Sequence, residues 1–184
     1  MNEIVIALAK AAILAALNQP VSFDLDAALE KYPQLKEPGA AFVTINKRPN
    51  NQLRGCIGSL QAYRPLYKDI IANAQAAALN DPRFPPLKPE ELKDIKIEVS
   101  ILSEPKPLPY KDKEDLKKKI VPYKDGVVLK LGSHQATYLP QVWEQLPDFD
   151  LFFSSLCQKA GLPPNCLDQH PDIYVYHVTK YEEE

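Results

Sequence analysis

The sequence predicts an α+β domain: a mainly antiparallel sheet flanked by helices. Three observations carry this reading. Strand-like apolar runs come in neighbouring pairs joined by turn residues, at 41–47 with 53–57 and at 126–131 with 135–139. Segments with an apolar face at helical spacing stand between those pairs. Regular βαβ alternation, the mark of a doubly wound parallel sheet, is absent. The 184 residues are taken as a single domain, with an N-terminal helix over about 3–18 packed on it. That length buries a core without the help of metal or disulfide.

The elements follow in order. Residues 4–17 are almost wholly apolar but fall short of the roughly 20 residues a membrane span needs, and Lys10 interrupts them. Glu3 stands where a secretory signal would begin with positive charge, so the segment reads as a buried alanine-rich helix. Asp24 or Asp26 caps a short helix that Pro33 stops. Residues 41–47 are β-branched and aromatic, residues 48–51 are turn chemistry, and 53–57 return as the hairpin partner. Pro65 opens a helix to Leu79, with Asp81-Pro82 ending it and residues 83–86 forming a stiff loop.

One helical turn at 89–92 precedes a strand in which Ile95, Ile97, Val99 and Ile101 alternate with polar residues. A proline-rich connector at 104–109 leads to a helix over 115–120 and the second hairpin, whose turn is 132–134. Pro140 opens a short helix holding Trp143. Asp148 caps a longer one over 149–160 that Gly161 closes. A last Tyr-rich strand spans 173–181.

Composition removes several function classes. Lys plus Arg is 22 and Asp plus Glu is 24, a net charge of −2, so the chain lacks the basic surface of a nucleic-acid binder. The lysines at 113–119 are interspersed with acids and read as a solvated helix face. The three cysteines, Cys56, Cys157 and Cys166, have no CxxC spacing and suggest reduced thiols in a cytoplasmic protein rather than a disulfide framework. No HExxH, P-loop or GxGxxG motif is present, and no cofactor or metal is expected. His134, His170 and His177 show no ligand spacing.

The informative hexamer is LRGCIG at 53–58, which places two of only six glycines around one cysteine. Glycine lets backbone approach a ligand closely. In an unbroken strand Arg54 and Cys56 share a face, roughly 6–7 Å apart at the backbone, and a guanidinium that near favours the thiolate. The competing reading is a small buried cysteine beside a β-bulge, with Arg54 in a structural ion pair. Thr44, on the facing strand, is the expected neighbour of Cys56. Glu98 and Ser100 share one face of their strand. If that face meets the hexamer, Glu98 is a candidate acid or base; if it meets water, it is the polar side of an antiparallel strand. Asp81 and Arg83 form either a polar clamp or a surface ion pair at a helix end. Gln141 offers an amide to a ligand or to its own helix.

The hexamer, together with residues 41–45, Asp81-Pro-Arg-Phe84, Ile97-Glu-Val-Ser-Ile-Leu102, Leu139-Pro-Gln-Val142 and Cys157-Gln-Lys-Ala-Gly-Leu162, resembles the AMMECR domain family over about 39–181. The hexamer is highly specific; each other landmark is weak alone. The resemblance implies larger and smaller subdomains with a cleft between them and makes LRGCIG the signature site. The family has no established reaction, but its association with Memo-like and radical-SAM proteins implies such partners. One departure is Gln135-Ala-Thr-Tyr138, where a Gly-Leu-Leu-type approach to Leu-Pro-Gln is expected.

Of three function classes, a nucleic-acid module is the one that the net charge of −2 disfavours most, and two lead. One is a small-molecule site, suited to an anionic ligand, with Cys56 as nucleophile, Arg54 as activator, Glu98 as proton carrier, and Gly55, Gly58, Thr44, Asp81, Arg83, Ser100 and Gln141 as binding residues. The other is a non-catalytic adaptor that uses the same surface. Neither involves nucleic acid or membrane.

Overall fold

The computed structural model describes residues 1–184, folded as two units: Met1–Leu102 with Thr179–Glu184, and Ser103–Val178. In the first unit, α1 (Asn2–Ala16) buries Val5, Leu8, Ala9, Ala12 and Ile13. The next helix, α2 (Leu25–Lys31), starts where the Asp24 carboxylate accepts the Ala27 N–H at 3.0 Å. Strands β1 (Ala40–Lys47) and β2 (Gln52–Gly58) form the first hairpin, α3 (Leu66–Leu79) follows, and β3 (Ile95–Leu102) pairs antiparallel with the other side of β1.

Along β1, Ala41, Val43 and Ile45 are buried while Phe42, Thr44 and Asn46 are half-buried, the two-residue period of a sheet with one covered face. The cover is α3, which packs on β1, and α1, which packs on α3 and β3. Their apolar faces and the core-facing strand residues make one continuous core. At roughly 25 cal/mol per Å² of apolar surface removed from water, such burial is the main favourable contribution to folding.

The second unit begins with a stub, β4 (Lys106–Pro107), inside the segment expected to be an irregular connector. Asp112 caps α4 (Lys113–Lys119). The second hairpin, β5 (Gly126–Leu131) with β6 (His134–Tyr138), turns through Gly132 at φ +60°, a conformation glycine adopts without strain. Asp148 caps α5 (Phe149–Lys159), and β7 (Asp172–Tyr176) completes a sheet of order β4-β7-β5-β6. Its core is centred on Trp143, fully buried and stacked on Phe152 with ring centroids 3.6 Å apart, its indole N–H bonded to the Asp125 carbonyl at 2.9 Å.

Two sequence expectations need correction. Cys157 and Cys166 are disulfide-bonded, so only Cys56 is a free thiol. Cys157 lies on the buried face of α5 and Cys166 in a 3₁₀ turn that folds back to it, a proximity set by packing rather than by any spacing motif. The last strand is two strands. At His177 the backbone leaves the ladder to exchange hydrogen bonds with Ser103, His177 N–H to Ser103 Oγ and Ser103 N–H to the His177 carbonyl, each 2.8 Å. The chain continues as β8 (Val178–Glu182), which lies beside β3 and gives the first sheet the order β2-β1-β3-β8. The chain thus carries two four-stranded sheets with helices packed on them, in keeping with the expected α+β fold of mainly antiparallel strands. No helix is long and apolar enough to cross a membrane.

Candidate functional site

The LRGCIG segment is strand β2, at the edge of the first sheet. Its register places Cys56 opposite Thr44, and Thr44 opposite Glu98 on β3, a single row across three strands on the face turned away from α1 and α3. All three residues are half-buried. Thr44 Oγ1 lies 3.2 Å from Cys56 Sγ, a hydrogen bond in which either group can donate. Glu98 is held elsewhere: Lys180 Nζ is 2.7 Å from its Oε1, and Asn46 Nδ2 donates to its Oε2 at 3.3 Å. With Thr44 between them, Cys56 and Glu98 stand two strand spacings apart, about 10 Å at the backbone. Gly58, Phe42 and Ser100 form the next row. A Cβ at Gly58 would come within 2.1 Å of the Phe42 ring, which lies over that glycine.

Gly55 faces the opposite way. A Cβ there would sit 2.2 Å from the carbonyl oxygen of Ala77, so the absence of a side chain lets α3 approach β2. The close approach brings the end of α3 and the following loop along the sheet edge. There the Cys56 N–H, pointing away from β1, donates to Asp81 Oδ2 at 2.9 Å. Edge-strand N–H groups need such partners, and the buried carboxylate supplies one. Arg83 donates to both Asp81 oxygens, Nη2 to Oδ2 at 2.8 Å and Nε to Oδ1 at 3.0 Å, and its Nη2 reaches the Cys56 carbonyl at 3.3 Å. The Arg83 hydrogen bonds, opposed by burial and reinforced by the Cys56 N–H, hold the Asp81 carboxyl far below the usual carboxylate range. Asp81 in turn raises the Arg83 guanidinium above its ordinary value.

Arg54 does not stand beside Cys56. Between Ile45 and Asn46 the register shifts: Ile45 faces Gly55 while Asn46 faces Leu53, leaving Arg54 as the extra residue of a bulge. The alternation that would have put Arg54 and Cys56 on one face is broken there. Arg54 is buried and donates Nε and Nη2 to the two Glu91 oxygens at 3.0 and 3.1 Å, and Nη2 also to the Pro85 carbonyl at 2.9 Å. Lys47, in phase with the core-facing Val43 and Ile45, reaches Glu91 as well, at 3.8 Å. Arg54 holds the Glu91 carboxyl below its ordinary value. Arg54 thus braces the loop carrying Asp81 and Arg83, and Arg83 is the guanidinium next to Cys56.

Of the residues singled out in the sequence, Thr44, Cys56, Glu98, Gly58 and Ser100 share one sheet face, and Asp81 and Arg83 meet Cys56 at the strand edge. Gly55 and Arg54 turn away from that face. Gln141 belongs to the second unit, exposed in a 3₁₀ helix (Pro140–Glu144). Sequence reasoning missed Glu91, Lys180 and Asn46. Asn46 was legible, two residues from Thr44 on the same face. Glu91 and Lys180 were not, because 37 residues separate Glu91 from Arg54 and Lys180 arrives on the last strand.

Comparison with known proteins places these landmarks. The AMMECR1 family model matches residues 6–181. A protein of Methanopyrus kandleri is 36% identical over 192 aligned residues, covering 100% of this chain and 88% of its own length. Proteins of Thermococcus onnurineus (40% identical, 83% of this chain and 76% of theirs) and Saccharolobus islandicus (40%, 91% and 77%) are similar too. The crystal structure of an uncharacterized Pyrococcus horikoshii protein superposes with a TM-score of 0.77 at 35% identity, covering 100% of this chain and 91% of that one.

Proposed function

The chain belongs to the AMMECR1 family, and from that membership we propose that its signature hairpin carries a small-molecule site whose central polar group is the Cys56 thiol. One observation carries the reading. The single free thiol is half-buried on the sheet face that the helices leave open, within 3.2 Å of the Thr44 hydroxyl, while Asp81 fixes the Arg83 guanidinium at its carbonyl. A sulfur beside a hydroxyl, with a fixed cation at the backbone of the same residue, suits a ligand with an anionic group. Arg83 takes the charge role first assigned to Arg54. Glu98, separated from the sulfur by Thr44 and paired with Lys180, contributes a carboxylate to the same face rather than a direct proton partner for Cys56.

Thiol labelling tests this. Because Cys157 and Cys166 are disulfide-bonded, a thiol-specific probe reports Cys56 alone. The native protein labels at neutral pH, Thr44→Val and Arg83→Leu both alter the rate, and Arg83→Lys alters it less because the charge is kept. Mass spectrometry of the protein from its native host then identifies what occupies the site. A thiol that stays inert below pH 9 in the folded protein, with Cys56→Ala costing only stability, favours the adaptor reading, in which the family surface docks a Memo-like or radical-SAM protein.

A further inference from the structure

The bulge that takes Arg54 away from Cys56 builds a second feature on the same hairpin. A cavity of about 400 Å³ opens beside the bulge, with Lys47, Leu53, Arg54, Phe84, Lys88 and Glu91 among its lining residues. That volume falls within the usual range of small-molecule sites. We propose that this cavity binds an oxyanion, carboxylate or phosphate, carried on a flat apolar body. The proposal does not depend on the Cys56 reading.

Three features converge on that chemistry. The lining sets three cations, Lys47, Arg54 and Lys88, against the single carboxylate of Glu91. Arg54 is pre-positioned: its side chain is 7% exposed, and Nε and Nη2 are committed to Glu91 and the Pro85 carbonyl. Nη1 makes no protein hydrogen bond, and no buried side-chain nitrogen lacks a partner, so Nη1 keeps some exposure, on a residue that lines the cavity. A guanidinium oriented by a carboxylate, with one amino group to spare, is arranged to receive an oxyanion without first losing side-chain entropy. The rest of the wall is apolar. Leu53, Pro85 and Pro86 are exposed, and Phe84 has the Arg54 and Arg83 guanidinium carbons 5.9 and 5.5 Å from its ring centroid. Stiff prolines and an aromatic ring near two guanidinium groups offer a rigid surface for a planar group rather than for a long chain.

The test is an amide NMR titration of the intact protein with phenyl phosphate and benzoate, which carry both parts, and with inorganic phosphate and benzyl alcohol, which carry one each. At least one of the first two shifts the amides of Gln52, Leu53, Phe84 and Lys88 saturably, and more tightly than either single-part probe. The tighter of the two names the oxyanion. Lys47→Ala and Lys88→Ala, both at exposed side chains and so not expected to unfold the protein, each weaken binding about twofold to fivefold. Added salt weakens it further. Cys56→Ser leaves this binding in place, so the two sites stand or fall separately. Absence of saturable shifts at those amides, affinity unchanged by both lysine substitutions, or equally tight binding of benzyl alcohol overturns the proposal.

Discussion

Asp81 shows how much one side chain organises at the hairpin edge. Its carboxylate is buried, takes the Cys56 N–H and three N–H groups of Arg83, and is held far below the usual carboxylate range by those bonds, Arg83 first. In the unfolded chain the same carboxyl titrates near its usual value, about 3.9. Between the two values the unfolded state binds a proton that the folded state does not, so stability rises with pH there. The Asp81 contribution is therefore complete above about pH 5 and is lost as pH falls through 4 and below. Urea unfolding at pH 7 and pH 3 checks this: Asp81→Asn narrows the difference between the two midpoints. An unchanged difference would mean that other carboxyls carry the acid sensitivity.

At the scale of elements, the contact between α3 and β2 positions everything else at the site. It exists because Gly55 has no side chain, and the atom in the way of one is a backbone carbonyl, that of Ala77, which cannot swing aside. Gly55→Ala must push helix from strand, at a cost of about 2–3 kcal/mol. Gly58 gives an internal comparison. The obstacle there is the half-buried Phe42 ring, a side chain that turns about its own torsions where a backbone carbonyl cannot, so Gly58→Ala is expected to cost less. Denaturant unfolding of the two variants ranks them. Equal costs would show that α3 can shift along the sheet, and that the placement of Asp81 and Arg83 is correspondingly loose.

Across the whole molecule, two separate cores carry the fold, one around Ile70, Val43 and Val99, the other around Trp143, Phe152 and Leu156. The disulfide belongs to the second and closes a short loop, nine residues apart in sequence. Loop-closure entropy for that length stabilises by about 2–3 kcal/mol. Reductant therefore lowers the midpoint of unfolding followed by the fluorescence of Trp143, the only tryptophan, whereas chelator is expected to leave it unchanged, both cores being built of buried apolar side chains. A midpoint insensitive to reductant would show that the disulfide adds no net stability.

By itself the sequence determined the local structure and the family. Two-residue alternation marked β3, β-branched and turn residues marked the two hairpins, apolar content marked α1 and α3, and aspartates capped helices at Asp24 and Asp148, because these signals act over a few residues. LRGCIG, with the landmarks around it, carried the resemblance that the family match bears out. Only the tertiary structure decided the partners. A one-residue register shift sent Arg54 to Glu91 and left Arg83 beside Cys56. Backbone bonds at His177 divided one apparent strand between two sheets, and packing of α5 brought Cys157 to Cys166. Each of these depends on groups distant in sequence meeting in space. Alternation and capping, which are properties of a local window, hold no information about which distant group that will be.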